Sequence, residues 1–94
     1  MNPSKRKGDT FERSIVQRCE AVGIRSYRNR MSRAMPGESW DVSIAGKRFE
    51  AKKRRDSFKK IRGWMYGNDG VILGSDRADA LVVLRFNDYL ELLT

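Results

Sequence analysis

Apolar residues at Phe11, Ile15, Cys19 and Val22 follow one another at i, i+4, i+8 and i+11, which is one stripe of a helix. Asp9 with Glu12 three residues on reads as a capping box at its start, and Gly23 as its stop. Ile24–Arg28 then reads as a short strand, and Asn29–Ser39, with Pro36-Gly37 and no period, as a loop. Two further strands, Trp40–Ile44 and Lys47–Lys53, join tightly at Ala45-Gly46. Phe58, Ile61 and Met65 mark a second helix over Ser57–Tyr66, capped by Asp56 or Ser57. Val71–Leu73 and Ala80–Leu84 read as strands around the polar loop Gly74–Asp79. Asn87 or Asp88 would cap a last short helix. The order is α-β-β-β-α-β-β-α, an α/β arrangement with a mixed sheet flanked by helices.

Composition narrows the class. Ninety-four residues leave room for one core, so residues 1–94 are expected to form a single domain, with 1–8 as a frayed basic arm. With 39% of residues apolar the chain is no disordered tail. No apolar run approaches the length of a membrane span or a signal peptide. One cysteine excludes an internal disulfide and a thiolate zinc cluster, and fits a reducing cytoplasm. With no histidine, imidazole bases and ligands are excluded. Chemistry would have to run on carboxylates, Lys, Arg and an oxygen-loving cation.

The formal charge is +8, and it is segregated. Residues 1–62 hold 18 Lys and Arg against 7 Asp and Glu, a net of +11, whereas residues 63–94 hold 2 against 5, a net of −3. That asymmetry points to a polyanion partner, with nucleic acid the commonest.

A two-residue turn at Ala45-Gly46 would pair Ile44 with Lys47, Val42 with Phe49 and Trp40 with Ala51 on one face. Ser43 would meet Arg48 on the other face, and Asp41 would meet Glu50, with Lys52 two residues beyond. Like charges directly across a ladder repel, so something must compensate. A divalent cation between them is one answer, Lys52 another. Solvated residues on a surface hairpin are the simplest.

The Asp41, Glu50-Ala51-Lys52 arrangement, preceded by a helix bearing Glu12, resembles the PD-(D/E)XK nuclease superfamily. The N-terminal Lys7-Gly8-Asp9-Thr10-Phe11-Glu12-Arg13 is similar to the first helix of the archaeal-type Holliday junction resolvases, and the shortness of the chain to compact phage-type nucleases. Arg28, Ser32, Asp41 and Glu50-Ala51-Lys52 follow in the family's order, with Ser39 a rival to Ser32. The resemblance covers residues 5–55.

It implies a restriction-endonuclease-like fold and a metal-dependent endodeoxyribonuclease, structure-specific and acting in DNA recombination. Asp41, Glu50 and the Ala51 carbonyl would hold Mg²⁺ or Mn²⁺, Lys52 would orient or deprotonate the attacking water or neutralise the charge on the phosphorus centre, and Glu12 would complete the site directly or through a metal-bound water. Arg28, Arg30, Ser32, Arg33, Lys53, Arg54 and Arg55 would contact DNA, branched or duplex. A C2 homodimer would cut two strands, using part of the apolar C-terminus as its contact. A general nicking or flap nuclease and a non-catalytic basic nucleic-acid-binding module are the alternatives.

Overall fold

Lys, Arg and Glu favour helix, and Pro is tolerated in a first turn. In a computed structural model that describes residues 3–29 and 39–94, with side chains from residue 7 onward, α1 accordingly spans Pro3–Ala21. The stretch expected to fray therefore opens the helix, and Asp9 lies inside it rather than at its cap. The helix ends as the sequence suggests. Gly23 takes φ +77°, its N–H goes to the Glu20 carbonyl at 3.0 Å, and the Ile24 N–H returns to the Cys19 carbonyl at 2.9 Å. That pair of bonds is a Schellman cap. Val22 lies past the last turn and is exposed, so the buried stripe is Ile15 and Cys19.

Three short strands follow: β1 (Ser26–Arg28), β2 (Val42–Ile44) and β3 (Lys47–Phe49), in the spatial order β1-β2-β3 and antiparallel throughout. Ala45 and Gly46 both have positive φ, +51° and +82°, the requirement of a tight hairpin turn whose twist matches its strands. The β2–β3 register is the expected one: Val42 opposite Phe49, Ser43 opposite Arg48, Ile44 opposite Lys47. The central strand is buried on both faces, and α1 packs on β1 and β2. Cys19, Val42 and Ile44 are the most enclosed side chains of this core.

The chain divides into two compact units, the first over Met1–Lys53 with Leu93–Thr94, the second over Arg54–Leu92. The second contains α2 (Lys59–Met65), β4 (Gly70–Ser75), β5 (Ala78–Leu84) and α3 (Phe86–Leu92). No side chain caps α2; the residue before it is Phe58, not the Asp56 or Ser57 that composition favours. Its C-terminal end is held by Arg85, whose guanidinium donates to the carbonyls of Met65 at 3.1 Å and Asn68 at 2.9 Å. β4 and β5 form an antiparallel hairpin with Ile72 opposite Val82 and Leu73 opposite Leu81. The strands thus run into Gly74–Asp79 from both sides and leave Asp76-Arg77 as the turn, where a loop was expected. Gly70 sits where a Cβ would stand 2.8 Å from the Val83 carbonyl oxygen, so the strand start needs glycine.

The described residues therefore form a mixed α/β protein with two small antiparallel sheets, not the single mixed sheet expected. Parallel pairing needs a crossover long enough to return beside the first strand. Here the one helix between the two hairpins, α2, has seven residues and packs on β4 of its own unit.

Candidate functional site

The β2–β3 ladder changes step at its open end. Regular register would continue to Asp41 opposite Glu50, but the Asp41 N–H donates to the Phe49 carbonyl at 2.8 Å, one residue out. A one-residue slip moves side chains to the other face. Trp40 shows the result. Its ring meets Tyr27 edge-on at 6.0 Å, and the Arg48 guanidinium lies 5.5 Å from its centre. Tyr27 and Arg48 flank Ser43 in the ladder, so Trp40 lies on the Ser43 face and not with Val42. Asp41 turns the other way, toward the side of Val42, Arg28 and α1. The expected rungs Trp40–Ala51 and Asp41–Glu50 are not formed. The slip relieves the repulsion that a direct Asp41–Glu50 pair would carry.

On that side the sequence places Asp9 and Glu12 three residues apart, hence on one face of α1. Arg28, opposite Val42 on β1, spans both. Its Nε donates to Glu12 Oε1 at 3.2 Å and its Nη2 to Asp9 Oδ1 at 3.2 Å. Burial pushes the Glu12 carboxyl above its usual range, and the neighbouring Asp41 carboxylate adds to the rise; the bond from Arg28 opposes it. Glu12 and Asp41, 29 positions apart in the chain, thus share one electrostatic neighbourhood.

Glu50 and Lys52 form a second group. Two residues apart on extended chain, they share a side, and Lys52 Nζ lies 3.0 Å from Glu50 Oε1. Both are more than half exposed, so this pair contributes little to stability. The Ala51 backbone joins the groups: its N–H donates to Asp41 Oδ2 at 2.7 Å. Asp41 therefore touches the Glu50-Ala51-Lys52 segment through a charge-assisted hydrogen bond and Glu12 through its field.

Among the described residues no three Asp, Glu or Cys side chains gather as a ligand set for a metal ion. Of the residues expected on DNA, Lys53, Arg54 and Arg55 are exposed, with Lys53 Nζ 5.6 Å from the centre of the Phe11 ring on α1. Arg28 is committed to two carboxylates. Arg30, Ser32 and Arg33 lie outside the described residues; Ser39 lies within them and is exposed. Sequence reasoning missed the Asp9–Arg28–Glu12 arrangement, although two acidic residues at i, i+3 on a basic helix were a readable sign of a cation between them.

Fold and site together describe a small α/β protein whose first helix and first hairpin bring acidic and basic side chains to one end of a three-stranded sheet. Compared with models of protein families, with curated proteins and with solved structures, the chain gives no significant match to any. Among the described residues no helix is long and apolar enough to cross a membrane.

Proposed function

We propose that the protein is a metal-dependent endodeoxyribonuclease whose site is built around Asp41. The observation that carries this reading is the position of Asp41, bonded to the Ala51 N–H at 2.7 Å and electrostatically adjacent to Glu12. It links three separated stretches of chain at one place, and every acidic residue of the nuclease-like pattern belongs to one of them.

Mg²⁺ and Mn²⁺ take one or two protein carboxylates and complete their shell with water and phosphate oxygens. Asp41, with one oxygen committed to Ala51, together with Glu50 and the Ala51 carbonyl fits that donor set in kind. A bound cation would supply Lewis acidity at the scissile phosphate. The Lys52 ammonium, steadied by Glu50 and half exposed, is free to turn toward a substrate phosphate, orient a water and neutralise charge that develops in the transition state. Glu12 completes the acidic side. Lys53, Arg54 and Arg55 follow Lys52 in the chain as a run of exposed cations suited to phosphates.

The resemblance adds a preference for branched DNA and a homodimer. For the dimer, Ile72 and Val82, directly opposed on β4 and β5, are strongly exposed apolar side chains of the second unit that a second copy would cover. Sedimentation of Val82→Arg against the parent protein checks it.

A non-catalytic nucleic-acid-binding module is the second reading. It is favoured by the way the carboxylates are already paired, Glu12 and Asp9 with Arg28, Glu50 with Lys52, so that no ion is needed to hold them. A panel of four-way junction, flap, nicked and linear duplex DNA, with Mg²⁺, Mn²⁺ or EDTA, separates the two. Cutting that depends on metal and falls at least about 100-fold in Asp41→Ala and Glu50→Ala, with binding retained, supports the nuclease. Salt-sensitive binding with no cutting under either metal supports the module.

A further inference from the structure

Arg28 looks from the sequence like one more cation for a DNA phosphate, but its surroundings assign it elsewhere. Its guanidinium is 30% exposed and reaches Asp9 at 3.2 Å and Glu12 at 3.2 Å, whose own side chains are 35% and 18% exposed. Asp41 lies on the same side of the sheet and acts on Glu12. Two carboxylates share the one guanidinium, so the group is acidic on balance. It is a locally anionic spot in a chain of net +8. A phosphate approaching Arg28 would meet those carboxylates, and drawing Arg28 away would leave two of them facing each other on one face of α1.

We infer that Arg28 is a positioning residue, an internal counter-ion that ties α1 to β1 and holds the Glu12 carboxylate in place, and not a DNA contact. This role rests on the nuclease reading only in its effect on cutting. The planar fork is what suits it: one guanidinium can engage two carboxylates at fixed angles, which a lysine ammonium on its flexible stem cannot do with the same geometry. The inference separates Arg28 from Lys53, Arg54 and Arg55, which are exposed and carry no such acidic cradle in the described structure.

The test compares Arg28→Gln, Arg28→Lys and Arg54→Gln in the full chain. Binding to four-way junction and linear duplex DNA is measured in EDTA over a series of salt concentrations. A lost phosphate contact lowers the slope of log affinity against log salt by about 1. Arg54→Gln is expected to show that loss, and Arg28→Gln to keep the parent slope. With Mg²⁺, Arg28→Gln is expected to cut about 100-fold more slowly with unchanged KM, because Glu12 is no longer held, and Arg28→Lys to recover part of the rate. Adding Asp9→Asn to Arg28→Gln should raise the midpoint of unfolding above that of Arg28→Gln alone, since one of two unpaired carboxylates is removed. A slope reduced by about 1 in Arg28→Gln, or no recovery of its unfolding midpoint by Asp9→Asn, overturns the inference. If the parent protein cuts nothing, the nuclease reading fails by itself. The binding slope and the double variant still decide the place of Arg28.

Discussion

The chain builds two antiparallel hairpins by the same local rules and treats them differently. In the first, β2 is flanked by β1 and β3 and covered by α1, and all three of its residues are buried. In the second, β4 and β5 have only each other in their sheet. Ile72 and Val82, directly opposed, are 78% and 64% exposed. An isolated two-stranded hairpin is marginal in water, whereas a third strand and a covering helix give independent stability. The contrast teaches that strand length and apolar content do not locate the stable part of a small protein. The longer, more apolar hairpin is the exposed one, and the three-residue strands beside the charged site are the anchored ones.

The sharpest way to break that comparison is the same substitution in both hairpins. Ile44, 2% exposed, should cost about 2–5 kcal/mol when changed to Ala. Ile72→Ala at low protein concentration should stay within about 0.5 kcal/mol. Urea unfolding of the two variants checks this, and equal losses would mean that β4 is as well supported as β2. Next comes Gly70→Ala, where the new Cβ meets the Val83 carbonyl and the Leu84 side chain at 2.8 Å each. Loss of about 1–3 kcal/mol is expected, with amide exchange speeding up in β4 and β5 and little changed in β2. A smaller effect of opposite sign belongs to the first turn. Ala45 holds φ +51°, a region that costs a side chain about 1 kcal/mol, so Ala45→Gly should stabilise the first hairpin by up to that amount in thermal unfolding.

The smallest effect is a slope with pH. Glu12 has its carboxyl raised from 4.5 by burial and by Asp41, so between 4.5 and its folded value the native state holds the proton more often than the unfolded chain. Its contribution therefore favours folding below that window and declines as pH rises through it. Glu12→Gln should remove this part of the slope. Unfolding midpoints of both proteins, measured from pH 4 upward, give the comparison.

What could be read in advance follows the range of the interactions. The Ala45-Gly46 turn and the Val42–Phe49 register rest on neighbours in sequence, and alternation was enough to find them. The Gly23 stop is equally local. The Asp41 slip is different: it depends on where one amide, Asp41 N–H, finds its carbonyl, and no residue type announces it. The pairing of Arg28 is hidden for a related reason. Its carboxylate partners lie 16 and 19 positions upstream and become neighbours only once α1 packs on β1. Charge composition pointed to an anion outside the molecule, while the side chain had found two inside. The start of α1 was missed because Asp9 offered a good cap, yet the basic residues before it are good helix formers in their own right.

Cys19 carries a practical consequence. It is fully enclosed on the inner stripe of α1, and it is the single thiol in the chain. A maleimide or disulfide reagent can reach its sulfur only when that helix lifts from the strands beneath. The alkylation rate under native conditions is thus a built-in clock for opening of the N-terminal unit, one that needs no label.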